Sequence, residues 1–216
     1  MLIENWMTKD VVTGAPETSM MKASKIMKEK GISRLPVVDE RGVLLGIVSD
    51  RDIKEASPSK ATTLDMHELY YLLSEIKLKD IMTKKVVTIK RGETVDRAAQ
   101  LMLEHNIGGM PVVDEDNKVV GVVTDSDIFK VLVRITGVME GGVQIGVRLP
   151  NEPGGLIPVL DYLKNHNARL MSLLTSCEPA EVGLRDVYIR IRDMDKGAMQ
   201  KLKAEMQEKF EVLYWV

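Results

Sequence analysis

Gly46-Ile47-Val48-Ser49-Asp50-Arg51-Asp52-Ile53 and, 75 residues later, Gly121-Val122-Val123-Thr124-Asp125-Ser126-Asp127-Ile128 are two versions of one segment. Each runs from an apolar β-rich stretch into a hydroxyl residue followed three places on by aspartate. The match extends backward without a gap: residues 7–53 align with 82–128, and 20 of the 47 positions are identical. Met7-Thr8-Lys9-Asp10-Val11-Val12-Thr13 answers Met82-Thr83-Lys84-Lys85-Val86-Val87-Thr88. Pro36-Val37-Val38-Asp39-Glu40 answers Pro111-Val112-Val113-Asp114-Glu115. Self-similarity at a fixed offset marks a duplicated structural unit.

Each copy reads as strand, helix, strand, strand, helix. The Val-Val-Thr segment is a short strand. Ala23, Ile26, Met27 and Lys30 fall at helical spacing after Ser19, a fitting N-cap. Val95, Ala98, Leu101 and Met102 do the same in the second copy. Two apolar runs, Leu35–Val38 and Val43–Val48, flank Asp39-Glu40-Arg41-Gly42, which is turn chemistry. A unit of about 50 residues buries too little surface to stand alone. The copies are therefore expected to pack face to face about a pseudo-twofold axis, leaving two equivalent clefts. Between them, Ala56–Thr63 reads as a loop and Leu69, Leu72, Leu73 and Ile76 as a connecting helix.

After Val133 the pattern changes. Gly137, Gly141, Gly142 and Gly146 mark a hinge. Val143, Ile145, Val147 and Leu149 alternate with polar residues, as in a half-buried strand. Asn151-Glu152-Pro153-Gly154-Gly155 turns into a helix with Leu156, Val159, Leu160 and Leu163 on one side. Strands follow over Ala168–Ser176 and Arg185–Arg192, then a helix capped by Asp195 with Met199, Leu202, Met206 and Phe210 on its apolar face. Glu211–Trp215 closes as a strand. Strand, helix, strand, strand, helix, strand gives a ferredoxin-like α+β sandwich.

Composition narrows the function classes. With 44% hydrophobic and 29% charged residues and a formal net charge of −2, the chain reads as a soluble globular protein. The charge balance gives no support to a nucleic-acid or membrane-surface partner. No apolar run reaches the length of a membrane span, and Met1–Asp10 lacks the apolar core of a signal peptide. The single Cys177 excludes an intrachain disulfide and fits a reducing cytoplasm. On its expected strand it reads as a small core hydrophobe. The histidines, His67, His105 and His166, show no metal-ligand spacing. No glycine-rich phosphate motif and no acid–base constellation is present. A catalytic site and a metal site are therefore not expected.

Ser49-x-x-Asp52 and Thr124-x-x-Asp127 read first as capping boxes. An aspartate not used up by the cap could also accept from the two vicinal hydroxyls of a ribose, at a place in the fold that favours ligands. Ile32-Ser33-Arg34-Leu35-Pro36 and Ile107-Gly108-Gly109-Met110-Pro111 lead into the second strand. The proline fixes extended backbone whose polar groups can read a purine rim, with Ile and Leu or Met as the apolar slot; a plain strand start is the simpler reading. Arg34 aligns with Gly109, Arg51 with Ser126 and Lys54 with Phe129. The cleft carrying Arg34 and Arg51 suits a phosphate, the other a nucleoside or nothing. Burying about 150 Å² of purine gives roughly 4 kcal/mol. Charge-assisted hydrogen bonds add about 1.5–3 kcal/mol each, against an association cost of at least about 4 kcal/mol.

Residues 7–134 resemble a tandem pair of CBS domains, named after cystathionine β-synthase: Met-Thr then Val-Val-Thr, Leu- or Met-Pro-Val-Val-Asp, and Gly, two apolar residues, Ser or Thr, and Asp three on, all twice. Residues 143–216 resemble an ACT domain, whose turn is usually Asp-x-Pro-Gly-x-Leu. Here Asn151 replaces the Asp ahead of Pro153, Gly154, Gly155 and Leu156, which puts an amino-acid-binding role in doubt. The whole chain is similar to the acetoin-utilisation regulatory family of CBS-ACT proteins. The resemblance implies a first CBS motif over 1–57, a linker and connecting helix over 58–76, a second CBS motif over 77–134, a hinge over 135–142 and an ACT domain over 143–216.

It further implies a non-catalytic, cytoplasmic regulator that binds AMP, ATP or S-adenosylmethionine in the CBS clefts. Ser49, Asp52, Thr124 and Asp127 would hold ribose. Thr13, Ile32, Leu35 and Pro36, with Thr88, Ile107, Met110 and Pro111, would frame adenine. Arg34 and Arg51 would meet phosphate. The chain would form a homodimer through its CBS or ACT domains and relay occupancy to an unknown target protein. The alternative is an interaction scaffold with vestigial clefts; a nucleotide-hydrolysing enzyme and a nucleic-acid binder are remoter rivals.

Overall fold

A computed structural model describes residues 1–57, 71, 74–178 and 181–216. The chain divides into two compact units, Met1–Ile128 and Phe129–Val216. Residues 58–63 of the expected loop, and Leu69, Leu72 and Leu73 of the expected connecting helix, lie outside the described residues.

In the first unit, helix α1 (Met20–Lys30) starts on Ser19, whose Oγ accepts from the Lys22 amide, and ends on Gly31 at φ 63°. Its buried residues, Met20, Ala23 and Met27, follow the period of one helical face. Strands β1 (Arg34–Val38) and β2 (Leu44–Ser49) pair antiparallel. Their turn is held by Asp39, which accepts from the amides of Arg41 and Val43. Helix α2 (Asp50–Ala56) follows directly. The second copy repeats the scheme after a short helix α3 (Leu78–Ile81): β3 (Ile89–Lys90), α4 (Val95–His105), β4 (Gly109–Val113), β5 (Val119–Thr124) and α5 (Asp125–Thr136). Asn106 closes α4 in the same left-handed conformation as Gly31 closes α1.

The expected Val-Val-Thr strands are displaced. Residues 11–13 and 86–88 form no strand; pairing begins at the next residue, as a parallel bridge from Gly14 to Val37 and as β3 beside β4. The valines precede the ladder rather than forming it.

The pseudo-twofold axis can be read from the backbone bonds. Val43 bridges Lys118, its own counterpart 75 residues on, which requires an axis between them. Leu44 donates to the Asn117 carbonyl and Val119 to the Gly42 carbonyl, a symmetric exchange. The openings of the two copies are crossed over. Thr83 exchanges backbone bonds with Ile47, and Thr8 exchanges the matching pair with Val122. Leu78, at the head of the second copy, is buried in the core of the first with Leu35, Val37 and Val48. The head of the second copy thus helps to close the core of the first.

In the second unit, β6 (Val143–Pro150), α6 (Ile157–Asn165), β7 (Leu170–Ser176), β8 (Leu184–Ile191), α7 (Lys196–Lys209) and β9 (Glu211–Trp215) appear in the expected order. The antiparallel sheet runs β7-β8-β6-β9. Ile145, Val147 and Leu149 of β6 and Val187, Ile189 and Ile191 of β8 pack against Val159 and Leu163 of α6 and Leu202 and Met206 of α7. Asp195 caps α7 by accepting from Gly197 and Ala198. Residues 137–142 are fastened to the sheet: Arg190, 9% exposed, donates to the carbonyls of Thr136, Gly141 and Gly142.

Cys177 departs from expectation. It lies one residue beyond β7 and is exposed, with the Asn151 side-chain amide 3.5 Å from its sulfur. The strand on which its burial was expected ends at Ser176. Among the described residues no helix is long and apolar enough to cross a membrane. Among them, too, no three or more His, Cys, Asp or Glu residues gather as metal ligands.

Candidate functional site

The junction of β2 and α2 carries a complete capping box. Ser49 Oγ accepts from the Asp52 amide at 3.2 Å. Asp52 Oδ2 accepts both the Ser49 amide at 2.6 Å and the Ser49 hydroxyl at 2.7 Å. The two bonds that Asp52 accepts use one carboxylate oxygen. Asp52 Oδ1 has no partner among the described residues, so the cap and a ligand do not compete for the same lone pairs. At the junction of β5 and α5, Asp127 Oδ2 accepts the Thr124 amide at 3.0 Å and the Thr124 hydroxyl at 2.8 Å. Asp127 is more deeply set, 7% exposed, whereas Asp52 is half-buried.

Ser49 and Asp52 open onto a cleft of about 380 Å³, within the size range of small-molecule sites. One wall is Arg34, Ile47 and the run Ser49–Asp52 of the first copy. The other is Thr83, Lys85, Val86 and Val87 with Asn106–Gly109 and Pro111 of the second. The repeat alone does not say which copy's frame faces which acid. The exchanged openings decide it, because Thr83 is hydrogen-bonded to Ile47 and brings residues 85–87 along the first copy's junction.

The cleft is rich in uncommitted cations. Arg34 donates Nη1 to the Ser33 hydroxyl and makes no ion pair among the described residues. Arg51 only approaches Glu55 at 4.0 Å, with both side chains largely exposed. Asp50 is already engaged: the Lys54 ammonium, hydrogen-bonded at 2.9 Å, holds its carboxyl below the usual range, with a smaller contribution from Arg34. Such an arrangement can accept vicinal hydroxyls at Asp52 and offer charge-assisted donors to an anionic group.

The sequence-predicted residues are placed as follows. Ser49, Asp52, Arg34, Arg51, Ile107 and Pro111 line this one cleft. Thr88 is not among its lining residues, although Val86 and Val87 are. Leu35 and Met110 have no exposed surface, so their side chains belong to the core and cannot form the expected apolar slot. The Pro36 carbonyl accepts from Gly14. Thr13 lines a separate notch of about 460 Å³ beside Asp39 and Glu40, and Ile32 another of about 400 Å³ with Met27 and Ile53. Sequence reasoning missed Lys85 and the Val86-Val87 wall. A signal was present: Lys85 against Asp10 is the one mismatch in the two seven-residue openings.

In the second unit, the turn over Asn151–Leu156 connects β6 to α6. Gly154 adopts φ 81°, and a Cβ on Gly155 would lie 2.5 Å from the Pro150 carbonyl oxygen. Asn151 donates its backbone amide to the Gly183 carbonyl, Pro153 is exposed, and Leu156 packs on the core.

Comparison with known proteins bears on the first unit. L-aspartate semialdehyde sulfurtransferase of Methanocaldococcus jannaschii is 36% identical over 127 residues, 59% of this chain; the chain spans only 22% of that relative's length. The CBS domain pair of protein MJ0100, solved with 5′-methylthioadenosine and S-adenosyl-L-methionine, is 34% identical with a TM-score of 0.51, covering 61% of this chain and 95% of that one. CBSX2 of Arabidopsis thaliana, solved with AMP, is 29% identical with a TM-score of 0.52, covering 62% and 97%. A Vibrio cholerae protein assigned to acetoin utilization is 29% identical with a TM-score of 0.54, covering 65% and 96%. The family described as CBS domain matches residues 3–59 and 78–134, more than half of the sequence, and with the exchanged twofold arrangement of those segments this establishes that the chain belongs to the CBS domain family.

Proposed function

We propose that this chain is a non-catalytic regulatory protein that senses adenosine-bearing ligands such as AMP, ATP or S-adenosylmethionine in the clefts of its CBS pair. One observation carries the reading: Asp52 keeps a carboxylate oxygen free of its own cap, on the wall of a cleft that also holds Arg34, Arg51 and Lys85. A ribose would donate to Asp52, with Ser49 fixing the carboxylate. The purine would lie against Ile107, Pro111 and the Val86-Val87 wall. The phosphate would meet the three cations. Thr124 and Asp127 would form the matching ribose site of the second cleft. The ligands named for MJ0100 and CBSX2 support the adenosyl class.

The C-terminal unit is read as an ACT domain over 143–216. Its element order and the sheet order β7-β8-β6-β9 support this ferredoxin-like assignment. In this reading residues 135–142 pass cleft occupancy to it, the chain works as a cytoplasmic homodimer, and a further protein receives the signal. Coupling of this kind needs two conformations that differ in ligand affinity.

Isothermal titration of the full chain with AMP tests the sensing role. Saturable binding that disappears in D52A/D127A supports it. Absence of binding, or binding unchanged in that variant, overturns it and leaves an interaction scaffold with vestigial clefts.

A further inference from the structure

The repeat makes the two clefts structural counterparts, and two of the positions that differ between them change charge. Thr83 pairs with Ile47 beside the Ser49–Asp52 junction, and Thr8 pairs with Val122 beside the Thr124–Asp127 junction, through the same two backbone bonds. The residue two places after each threonine therefore occupies the same position in its own cleft. In the first cleft it is Lys85, which lines the wall; in the second it is Asp10. The substitution at one other cationic position runs the same way. Arg51 corresponds to Ser126. Arg34, whose guanidinium lies against Gly108 across the axis, is itself the counterpart of Gly109, so the dyad places it beside both clefts. The two cations that change are Arg51, replaced by Ser126, and Lys85, replaced by the carboxylate of Asp10.

Resting on the adenosine reading of both sites, we propose that the clefts sort ligands by the charge of the group attached at the ribose 5′ carbon. The first takes a 5′-phosphorylated adenosine. The second takes an adenosine whose 5′ substituent is neutral or cationic, with Asp10 repelling phosphate and attracting a cation. Like charge facing like charge is how a site rejects the wrong member of a ligand class. The two ligand classes then bind together without competing, so the protein reads two adenosyl metabolites independently.

Isothermal titration with AMP and with S-adenosylmethionine tests this. In the unaltered full chain, AMP saturates at one equivalent, and S-adenosylmethionine binds a further equivalent in the presence of saturating AMP. R51S/K85D weakens AMP at least tenfold and leaves S-adenosylmethionine unchanged. D10K/S126R creates a second AMP equivalent and weakens S-adenosylmethionine at least tenfold. The four substituted residues are exposed, so the variants fold. Competition of the two ligands for the same equivalents, or indifference of both to D10K/S126R, overturns the sorting. Charge-blind binding that still vanishes in D52A/D127A overturns the sorting alone; no binding of either ligand, or binding that survives D52A/D127A, overturns the adenosine reading and the sorting with it.

Discussion

Met82 lies over Gly46 so closely that a Cβ on the glycine would come within 2.5 Å of its sulfur and 2.8 Å of its Cγ. Met7 stands over Gly121 in the same way. These are the crossing points where each copy's opening packs on its partner's strand. Gly46→Ala and Gly121→Ala should each destabilise the first unit by about 1–3 kcal/mol, because the added methyl must displace a packed side chain and not just its tip. Urea unfolding of the full chain measures the loss. In G46A/M82A the two changes should be less than additive, since removing Met82 makes the space. Full additivity would show that Met82 does not press on residue 46.

Asp52 completes the cap of α2, and the proposed function gives it a second, separable duty at the ligand. Asp52→Ala removes a capping carboxylate and should lower ligand-free stability by about 0.5–2 kcal/mol. It should also abolish any rise in Tm produced by AMP. Ser49→Ala should cost a similar amount in ligand-free protein, whereas Ser49→Thr, which copies Thr124, should be close to neutral. Thermal melting with and without AMP separates cap from site: a ligand-induced shift retained in D52A would assign Asp52 to capping alone.

Most of this architecture is legible in the repeat, and the parts that are not share one cause. Ser19 and Asp195 announce their helices because capping is local chemistry, and Ser49 and Asp52 meet because three residues span one turn. The exchange of Leu2–Thr8 and Lys77–Thr83 between copies is long-range, and no pattern within seven residues encodes it. For that reason Lys85 escaped notice, and Leu35 and Met110 were assigned to a slot although the sheet turns their side chains inward. Cys177 is exposed for a local reason: it follows Ser176, the last paired residue of β7, and so lies outside the sheet that would bury it.

A cluster between α6 and α7 should govern the pH dependence of the second unit. Glu205 Oε2 accepts from the Tyr162 hydroxyl at 2.5 Å and lies 3.0 Å from His166 Nε2. The Tyr162 bond first, and His166 second, hold the Glu205 carboxyl below its ordinary value of 4.5. A depressed carboxyl stabilises the fold above its unfolded value and loses that contribution as pH falls through the folded one. Glu205→Gln should therefore flatten the acid limb of the stability profile below about pH 4.5. Tyr162 runs the other way: burial chiefly, then the bond to Glu205, pushes its hydroxyl up to about 12 from 10.0. Its contribution is present below pH 10 and lost as pH rises towards 12. Burial also pushes the Tyr214 hydroxyl up, so ultraviolet titration should show more than one phenol ionising late, and Tyr162→Phe should remove one of them. An unchanged titration in Y162F would contradict this assignment.

Arg190 should decide whether residues 137–142 act as a fixed or a loose connection. Its guanidinium is almost fully enclosed and donates to three backbone carbonyls, those of Thr136, Gly141 and Gly142, while Ser172 adds a second donor to Thr136. Gly137, Gly141 and Gly142 all adopt positive φ, so the segment follows a path that ordinary residues resist and needs outside bonds to hold it. Arg190→Met fills similar space but leaves the Gly141 and Gly142 carbonyls without their donor, while Ser172 still serves Thr136, and should cost roughly 2–4 kcal/mol. The same variant should speed amide hydrogen exchange at 137–142 before exchange rises in β6 and β8, because the anchor is lost while the sheet's own ladder stays. If the segment relays cleft occupancy, R190M should bind AMP as the unaltered chain does, yet show no AMP-dependent change in exchange within the C-terminal unit. Retention of that change with the anchor gone would route any communication elsewhere.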